Sequence, residues 1–446
     1  MDQVNALQAI GVAVSTINSN TPLAERRLIL DDMLSGHPRT RLLYVTPELC
    51  QTDSFRRNLQ VVHRQGQLTR IAIDEAHCVS EWGHDFRPAY QGLGWFKKSL
   101  VDPSIPITAL TATATPRVRS DIIRMLGLDY TRLKLFNTPS ARPNIHYEVR
   151  YFVGDSMDAI SPADLQVEDL LAWLTAIRKR RESRLGTEAA AQLPPISGIV
   201  YVGMRAMSEE LAHQLSSDKT ISAVAYHAGI ALEERTRIQA MWTSPQPHKP
   251  RNDGKVPPAF SIIVATNAFG MGIDNPNVRF VVHWTPARSF EGFVQESGRA
   301  GRDGRAAASL VYYNIEERDR IRDRLNRDAE NVRNRGGPKP YVASLLKNQE
   351  ARLDSFKKVV RYCETVNRCR HDMIKELFGD FELEELGSQQ PPSSQVGRAD
   401  AFQSPSSSPC DFACDHCKEG RQALAKRKAN MVAQFVDDFM YDDGYV

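Results

Sequence analysis

Short apolar runs alternate with amphipathic stretches along most of this chain. Val4, Leu7 and Ile10 recur at helical spacing, and a short strand follows. A helix over about Leu23 to Leu34 comes next, then the apolar run Leu42-Leu43-Tyr44-Val45. Ile71-Ala72-Ile73 and Ile107-Thr108-Ala109-Leu110 read as further buried strands, and Pro116 to Leu126 as the helix after the second. Uninterrupted apolar strands separated by helices are the mark of parallel sheets covered on both faces. An amphipathic helix around Val167 to Ile177 leads to a second sheet, opened by Gly198-Ile199-Val200-Tyr201 and continued by Ile262 to Ala265. After Tyr313 the strand pattern stops. Glu316 to Arg335, Leu345 to Glu364 and Arg370 to Phe378 read as helices. The expected class is α/β, with two parallel-sheet domains, the first incomplete, followed by a helical domain.

Composition narrows this picture. The 446 residues allow two or three domains with substantial cores. With 57 basic and 54 acidic residues the formal charge is only +3, so contact with nucleic acid has to come from local patches. Arg178-Lys179-Arg180-Arg181 is one such run, suited to phosphate or equally to a solvated helix end. A soft Ala/Gln/Pro loop is expected after it, near 182–195. Residues 244–258 and 387–409, rich in Pro, Ser and Gln, read as flexible inserts. No apolar run approaches the length of a membrane span, and the first residues show no leader pattern. Seven cysteines are too few for a disulfide scaffold, and five follow residue 360, which points to a local site in a reducing compartment.

The chemistry concentrates after Ile73. Adjacent carboxylates at a strand end, Asp74 and Glu75, can diverge to two tasks, one holding Mg²⁺ and the other polarising an attacking water. That division suits phosphoanhydride hydrolysis. An acidic turn alone is commonplace, but His77 follows, and Trp82, Phe86 and Arg87 put two aromatic faces and a cation into one short loop. Such a loop is a platform for unpaired bases, or else a surface loop folding its rings onto the core. Thr266, at a strand end, can reach a DNA phosphate, and Gly270 and Gly272 permit close backbone approach. Asp274 can accept from a ribose or engage an arginine. Arg299 and Arg302, one turn apart, form a pair suited to the charge that develops on a transferred phosphoryl group.

These residues resemble a family. DEAHCVSEWGHDFRP is similar to motif II and the aromatic-rich loop of RecQ DNA helicases, members of the second helicase superfamily. DQVNALQAIGV resembles motif Ia, and LLYVTPE motif Ib, which implies that Thr46 and Glu48 lie near the DNA backbone. ALTATAT resembles motif III, and FNTPSARPNIHYEVR the crossing into a second RecA-like domain. VGMRAMSEELAHQL resembles motif IV, with Val202 and Gly203 where family members often carry Cys and Ser. IIVATNAFGMGID and QESGRAGR resemble motifs V and VI, with Asn275 where Lys is frequent. The resemblance implies ATP between two lobes, with Asp74 on Mg²⁺ and Glu75 as the base. Asp274, Gln295, Arg299 and Arg302 would act from the second lobe, and Thr266, Trp82, Phe86 and Arg87 on DNA.

One motif is missing from these residues. None of them forms G-x-x-x-x-G-K-[ST], the loop that cradles phosphate; Gly254-Lys255 is followed by Val256 in a Pro-rich stretch. In RecQ proteins that loop precedes motif Ia, so the first domain reads as truncated. The alternative expectation is therefore an ATPase-deficient DNA-binding or regulatory remnant.

Cys410, Cys414 and Cys417 have the C-x-x-x-C-x-x-C spacing that wraps a tetrahedral Zn²⁺. Cys369 is the expected fourth ligand, because CRHDMIKELFGD resembles the ligand-bearing helix of RecQ zinc domains; His371 and His416 are alternatives to a thiolate, and Cys363 is expected in the core. The domain expectation is 1–142 and 143–316 as RecA-like domains, with 317–446 as a helical zinc domain. The whole is most similar to the animal-type RecQ lacking a winged helix. Such proteins are implied to be nuclear ATP- and Mg²⁺-dependent 3′ to 5′ DNA helicases of recombination and repair. They act on single-stranded and forked or branched DNA alongside repair proteins.

Overall fold

The structure is a computed structural model describing residues 2–83, 85–152, 161–243, 258–267, 269, 275–334, 339–380, 410 and 413–441. It divides into two compact units, Met1–Thr138 with Asp328–Arg352, and Pro139–Arg327 with Leu353–Val446. The helical segment expected as a third domain is thus shared out, 328–352 going with the first unit and the rest with the second. No helix among the described residues is long and apolar enough to cross a membrane.

In the first unit, β1 (Val14–Ile17) pairs in parallel with β2 (Leu42–Val45), and β3 (Ile71–Ile73) with β4 (Ile107–Ala109). The helix Asp53–Arg64 buries Phe55, Leu59 and Val62, spaced four and three apart, while its remaining faces are polar. Phe55 and Leu59, together with Ile73, Val79, Phe96 and Ile122, belong to the core beneath β3 and β4. The helix Pro116–Leu126 has the expected bounds. Pro116 occupies its first position, where a missing N–H costs nothing, and Gly127 ends it at φ 67°.

The second unit is a six-stranded, all-parallel sheet in the order β5-β10-β9-β6-β8-β7. Its strands are β5 (Ile145–Tyr151), β6 (Ile196–Tyr201), β7 (Ile221–Tyr226), β8 (Phe260–Ala265), β9 (Val278–His283) and β10 (Ala307–Tyr313). Along β6, Ile199 and Tyr201 face one core, while Val200 and the following Val202 face the other, as strand alternation requires.

Two expectations are corrected here. The sheet begins at β5 rather than at Gly198. In β5, Ile145, Tyr147 and Val149 are buried while His146, Glu148 and Arg150 are half-buried, an alternation natural to an edge strand and unlike an apolar run. The soft loop expected near 182–195 is largely helical: one helix runs through the basic stretch from Pro162 to Leu185, and another spans Thr187–Gln192. TEAAAQ is rich in the best helix former, which explains the second. Arg178 pairs with Glu182 at 3.9 Å and Arg181 donates to the Pro194 carbonyl, so the basic run is partly engaged by its own helix and loop. Of the inserts expected at 244–258 and 387–409, residues 244–257 and 387–409 lie outside the described residues.

Candidate nucleotide, DNA and metal sites

The strand β3 ends at Asp74, whose Oδ1 accepts from the Glu75 backbone N–H at 2.9 Å. Glu75 has φ 51°, the sole non-glycine with positive φ among the described residues. A glutamate in this region is strained, and such strain persists only where neighbours over-determine it. Here the next N–H, that of Ala76, donates to the Leu110 carbonyl at 2.8 Å, and Leu110 N–H donates back to Ile73 at 2.9 Å. The turn swings Glu75 Oε2 to 3.3 Å from His77 Nδ1. His77, buried, also meets Thr111 Oγ1 at 3.1 Å, and Thr111 bonds both the N–H and the carbonyl of Thr113 at 3.2 Å. Glu75 at the end of β3 and Thr111 after β4 thus converge on one atom, His77 Nδ1, at ion-pair and hydrogen-bond distance. Burial pushes the neighbouring Cys78 thiol up to about 12, leaving it protonated and unreactive.

The loop that follows folds back on this turn. Arg87 N–H donates to the Cys78 carbonyl at 3.0 Å, and the Arg87 guanidinium pairs with Asp85 at 2.9 Å. Ser80 Oγ donates to Asp121 at 2.7 Å and accepts from Trp82 N–H at 3.2 Å. Gly83 is required by close approach, since a Cβ there would stand 2.6 Å from the His77 carbonyl oxygen. Trp82 and Phe86 are half-buried, and the Arg117 guanidinium carbon lies 3.3 Å from the Trp82 ring centroid. Within the same unit, the helix Lys339–Glu364 grips the loop. Ser344 Oγ meets Glu81 Oε1 at 2.7 Å, and Asn348 Nδ2 donates to the Glu81 and Gly83 carbonyls at 3.0 and 3.1 Å.

In the second unit the helix Phe290–Ser297 carries Gln295, half-buried, and runs into the turn holding Arg299 and Arg302. Arg299 is buried and Arg302 exposed. The turn is braced from the segment before β5: Arg142 donates to the Gly298 carbonyl at 3.1 Å and to that of Gly301, and Asn144 Nδ2 to Gly301 and Arg305, both at 2.8 Å. Gly301 has φ 59°, and a Cβ there would lie 2.5 Å from Asn144 Nδ2. Thr266 is half-buried after β8, with its N–H on the Tyr226 carbonyl at 3.2 Å. Asn275 is buried and donates to the Trp242 carbonyl at 3.1 Å, so the residue standing in the place of a frequent Lys serves the fold. Asp274 lies outside the described residues.

The cysteines converge beside β5. Ligand atoms of Cys369, His371, Cys410 and Cys414 all lie within 4.8 Å of one another. Cys369 Sγ is 3.9 Å and Cys410 Sγ 3.4 Å from Cys414 Sγ. Tetrahedral Zn–S bonds of about 2.3 Å place sulfurs roughly 3.8 Å apart, so this donor set fits zinc. Cys417 N–H donates to Cys414 Sγ at 3.4 Å, and its own sulfur is 3.9 Å from His416 Nδ1. His371 is buried: Nε2 reaches the Arg142 carbonyl at 3.3 Å, and Nδ1 has no hydrogen-bond partner among the described residues. The neighbouring Cys414 thiol, then burial, push Cys369 up to about 11, and burial pushes Cys410 up to about 12. A bound cation would reverse both, since the thiolate is the ligand. Cys363 is fully buried in the core, as expected.

Comparison with known proteins agrees with these motifs. The family described as Helicase conserved C-terminal domain matches residues 189–304. ATP-dependent DNA helicase Q5 of Rattus norvegicus is 38% identical over 379 residues, covering 85% of this chain and 35% of that protein. RecQ-like DNA helicase blm-1 of Caenorhabditis elegans is 33% identical, covering 85% of this chain and 33% of its own length. ATP-dependent DNA helicase Q1 of Rattus norvegicus is 30% identical over 417 residues, 93% of this chain and 54% of that protein. The chain belongs to the RecQ helicase family. It spans about a third of the length of the Q5 relatives.

Among the RecQ motif residues, Thr46 is half-buried, its Oγ1 accepting from Leu49 N–H at 3.3 Å, and Glu48 is exposed at the start of the turn Leu49–Gln51. Sequence reasoning missed Arg142, Asn144, Ser344 and Asn348. For the first pair a signal existed in Arg-Pro-Asn just before a strand; for the second pair, two polar residues on a long helix, none did.

Proposed function

We propose that this chain is the helicase core of a RecQ-type, ATP-dependent 3′ to 5′ DNA helicase acting in the nucleus in recombination and repair. Asp74 holds the Mg²⁺ that accompanies ATP, and Glu75, oriented by His77, acts as base on the attacking water. Gln295, Arg299 and Arg302, with Asp274, serve the nucleotide's phosphates and ribose. Thr46, Glu48, Phe86, Arg87 and Thr266 face DNA, and Trp82 stacks on an unpaired base. Single-stranded and forked or branched DNA are the substrates, with repair proteins as partners. Zinc, held by Cys369, Cys410 and Cys414 with either Cys417 or His371 as the fourth ligand, staples the helical segment to β5 and performs no chemistry.

The observation that carries this reading is the convergence of Glu75 and Thr111 on His77 Nδ1, which joins the carboxylate turn to the motif III segment. Its test is ATP hydrolysis by the purified chain with and without single-stranded DNA, Glu75→Gln serving as blank. DNA-stimulated turnover that falls about 10²- to 10⁴-fold in the variant is expected for loss of a general base. Equal rates in both proteins would sink the assignment of Glu75.

A further inference from the structure

The backbone around Trp82 is fixed from both sides. Ser80 Oγ accepts its N–H, Asn348 holds the carbonyls of Glu81 and Gly83, and Ser344 holds the Glu81 carboxylate. Gly83 leaves no room for the chain to shift toward His77. The indole is therefore carried on a rigid base. The group lying over its face is different in kind. Arg117 is exposed, stands in the first turn of the helix Pro116–Leu126, and has no hydrogen bond or ion pair among the described residues. Its guanidinium, 3.3 Å from the ring centroid, is a cation on an aromatic face and nothing more.

An exposed cation–aromatic contact is the weaker of two ways to cover that ring; stacking of a nucleobase is the stronger. A paired base, already stacked within a duplex, cannot compete for the ring, whereas an unpaired one can. The displaced guanidinium is then a mobile cation beside the nucleotide that displaced it, whose phosphate is an acceptor of opposite charge. We propose that Arg117 is an exchangeable cap on Trp82, yielding the ring to an unpaired base of single-stranded DNA and passing to the phosphate of the same strand. This rests on the reading of Trp82 as a base-stacking platform and adds to it the residue that gates the platform. The cap sits two residues beyond Thr115 and four beyond Thr113, which Thr111 and His77 tie to Glu75, so its movement is adjacent to the hydrolytic turn.

The test is the affinity of the full chain for a fluorescein-labelled oligothymidylate, followed by anisotropy over a salt series, for the wild type, Arg117→Ala, Arg117→Lys and Trp82→Ala. Because Arg117 is exposed, neither of its variants should change the melting temperature. Arg117→Ala should lower the slope of log affinity against log salt by about 0.7, the value of one phosphate on a single strand, with Arg117→Lys restoring it. An unchanged slope in Arg117→Ala, while binding still depends on Trp82, would overturn the exchange and leave Arg117 as a packing prop. Tighter binding of Arg117→Ala at every salt concentration would also overturn it, making Arg117 a competitor only. Binding indifferent to Trp82→Ala, or no binding by the wild type, would instead remove the platform reading, and the proposal with it.

Discussion

Arg370 and Asp415 form a two-pronged ion pair in which neither side chain has any solvent exposure, with nitrogen–oxygen distances of 2.8 and 3.0 Å. Each residue directly follows a cysteine of the cluster beside β5, so the pair fastens Cys369 to Cys414 across 45 residues of sequence. Asp415 also accepts the Val149 N–H at 3.0 Å, and Arg370 donates to the Tyr362 carbonyl and lies 5.2 Å from the Tyr362 ring centroid. Every charge is thus matched. Removing one partner leaves a buried charge uncompensated, which costs about 3–5 kcal/mol. Asp415→Asn and Arg370→Met should each lower stability toward urea by that order and reduce bound zinc, and a double variant should lose less than the sum of the two. Additive losses in this cycle would show that the two residues act separately.

The braced turn of the second unit makes a different prediction. Arg142 and Asn144 hold the carbonyls of Gly298, Gly301 and Arg305, and thereby aim Arg299 and Arg302. Burial lowers the Arg142 pKa, and its charge is spent on backbone oxygens rather than on a carboxylate. If Arg299 and Arg302 act on a transferred phosphoryl group, Arg142→Ala should cut kcat by about 10²-fold through misplacement, with little change in KM for ATP. Steady-state kinetics against the same blank, Glu75→Gln, would reveal it; a rise in KM at unchanged kcat would assign Arg142 to binding.

Gly83 offers a test of the loop alone. An alanine there would bring a methyl to 2.6 Å from the His77 carbonyl oxygen, a backbone atom that cannot step aside. The loop, not the core, should give way. Gly83→Ala should weaken binding of an oligothymidylate by about tenfold or more, roughly the 1–3 kcal/mol of one base-stacking contact, while the melting temperature stays nearly constant. Unaltered DNA affinity would mean that the loop's position is not what binds DNA.

Local pattern was a good guide where structure is locally determined. The helices Pro116–Leu126 and Arg370–Phe378 were legible because apolar spacing, a proline or polar start and a following glycine agreed. The strand β8 was legible because burial on both faces writes an unbroken run; β2 and β3 were legible from their apolar residues, although the expected burial fails at Leu42 and Ala72, which are exposed. β5 was not, since an edge strand alternates and its partner β10 lies some 160 residues onward, with Ile145 opposite Ala307. The same distance hid the site's supports. Asn348 reaches Glu81, Arg370 reaches Asp415 and Arg117 covers Trp82, and in no case does the residue type announce its partner. The cysteines were legible from spacing, but His371, two residues after Cys369, entered the cluster through the fold of its helix start.

His371 therefore makes the ligand set a measurable question. With Nε2–H on the Arg142 carbonyl, Nδ1 is the ring nitrogen that keeps its lone pair, and the imidazole has a nitrogen within 4.8 Å of the thiols. Substitution of zinc by Co²⁺ reports the number of thiolates through the intensity of sulfur-to-metal charge transfer. The four-cysteine set predicts a four-thiolate intensity, unchanged in His371→Ala and reduced by one thiolate in Cys417→Ser; a Cys₃His set predicts a three-thiolate intensity, unchanged in Cys417→Ser, with the ligand-field bands altered in His371→Ala. In both cases chelation of the metal should destabilise the second unit, whose strand β5 bonds the cysteine loop through Tyr147 N–H and the Ala413 carbonyl at 3.1 Å.

Acid stability should be read at Glu148, also on β5. Burial opposes its ionisation, but the His146 imidazole at 3.4 Å and the Arg150 guanidinium at 2.9 Å outweigh burial and hold the carboxyl at about 2. A carboxylate whose folded pKa lies below its unfolded value of about 4.5 stabilises the fold fully above that value. The contribution then fades as pH falls toward 2. The gap corresponds to about 3 kcal/mol at neutral pH. Glu148→Gln should accordingly be less stable than wild type at pH 7, and the two proteins should converge on acidification through this window. Urea unfolding across a pH series checks both signs at once, and a difference that persists undiminished at the acid end would mean that Glu148 stabilises the strand by packing rather than by charge.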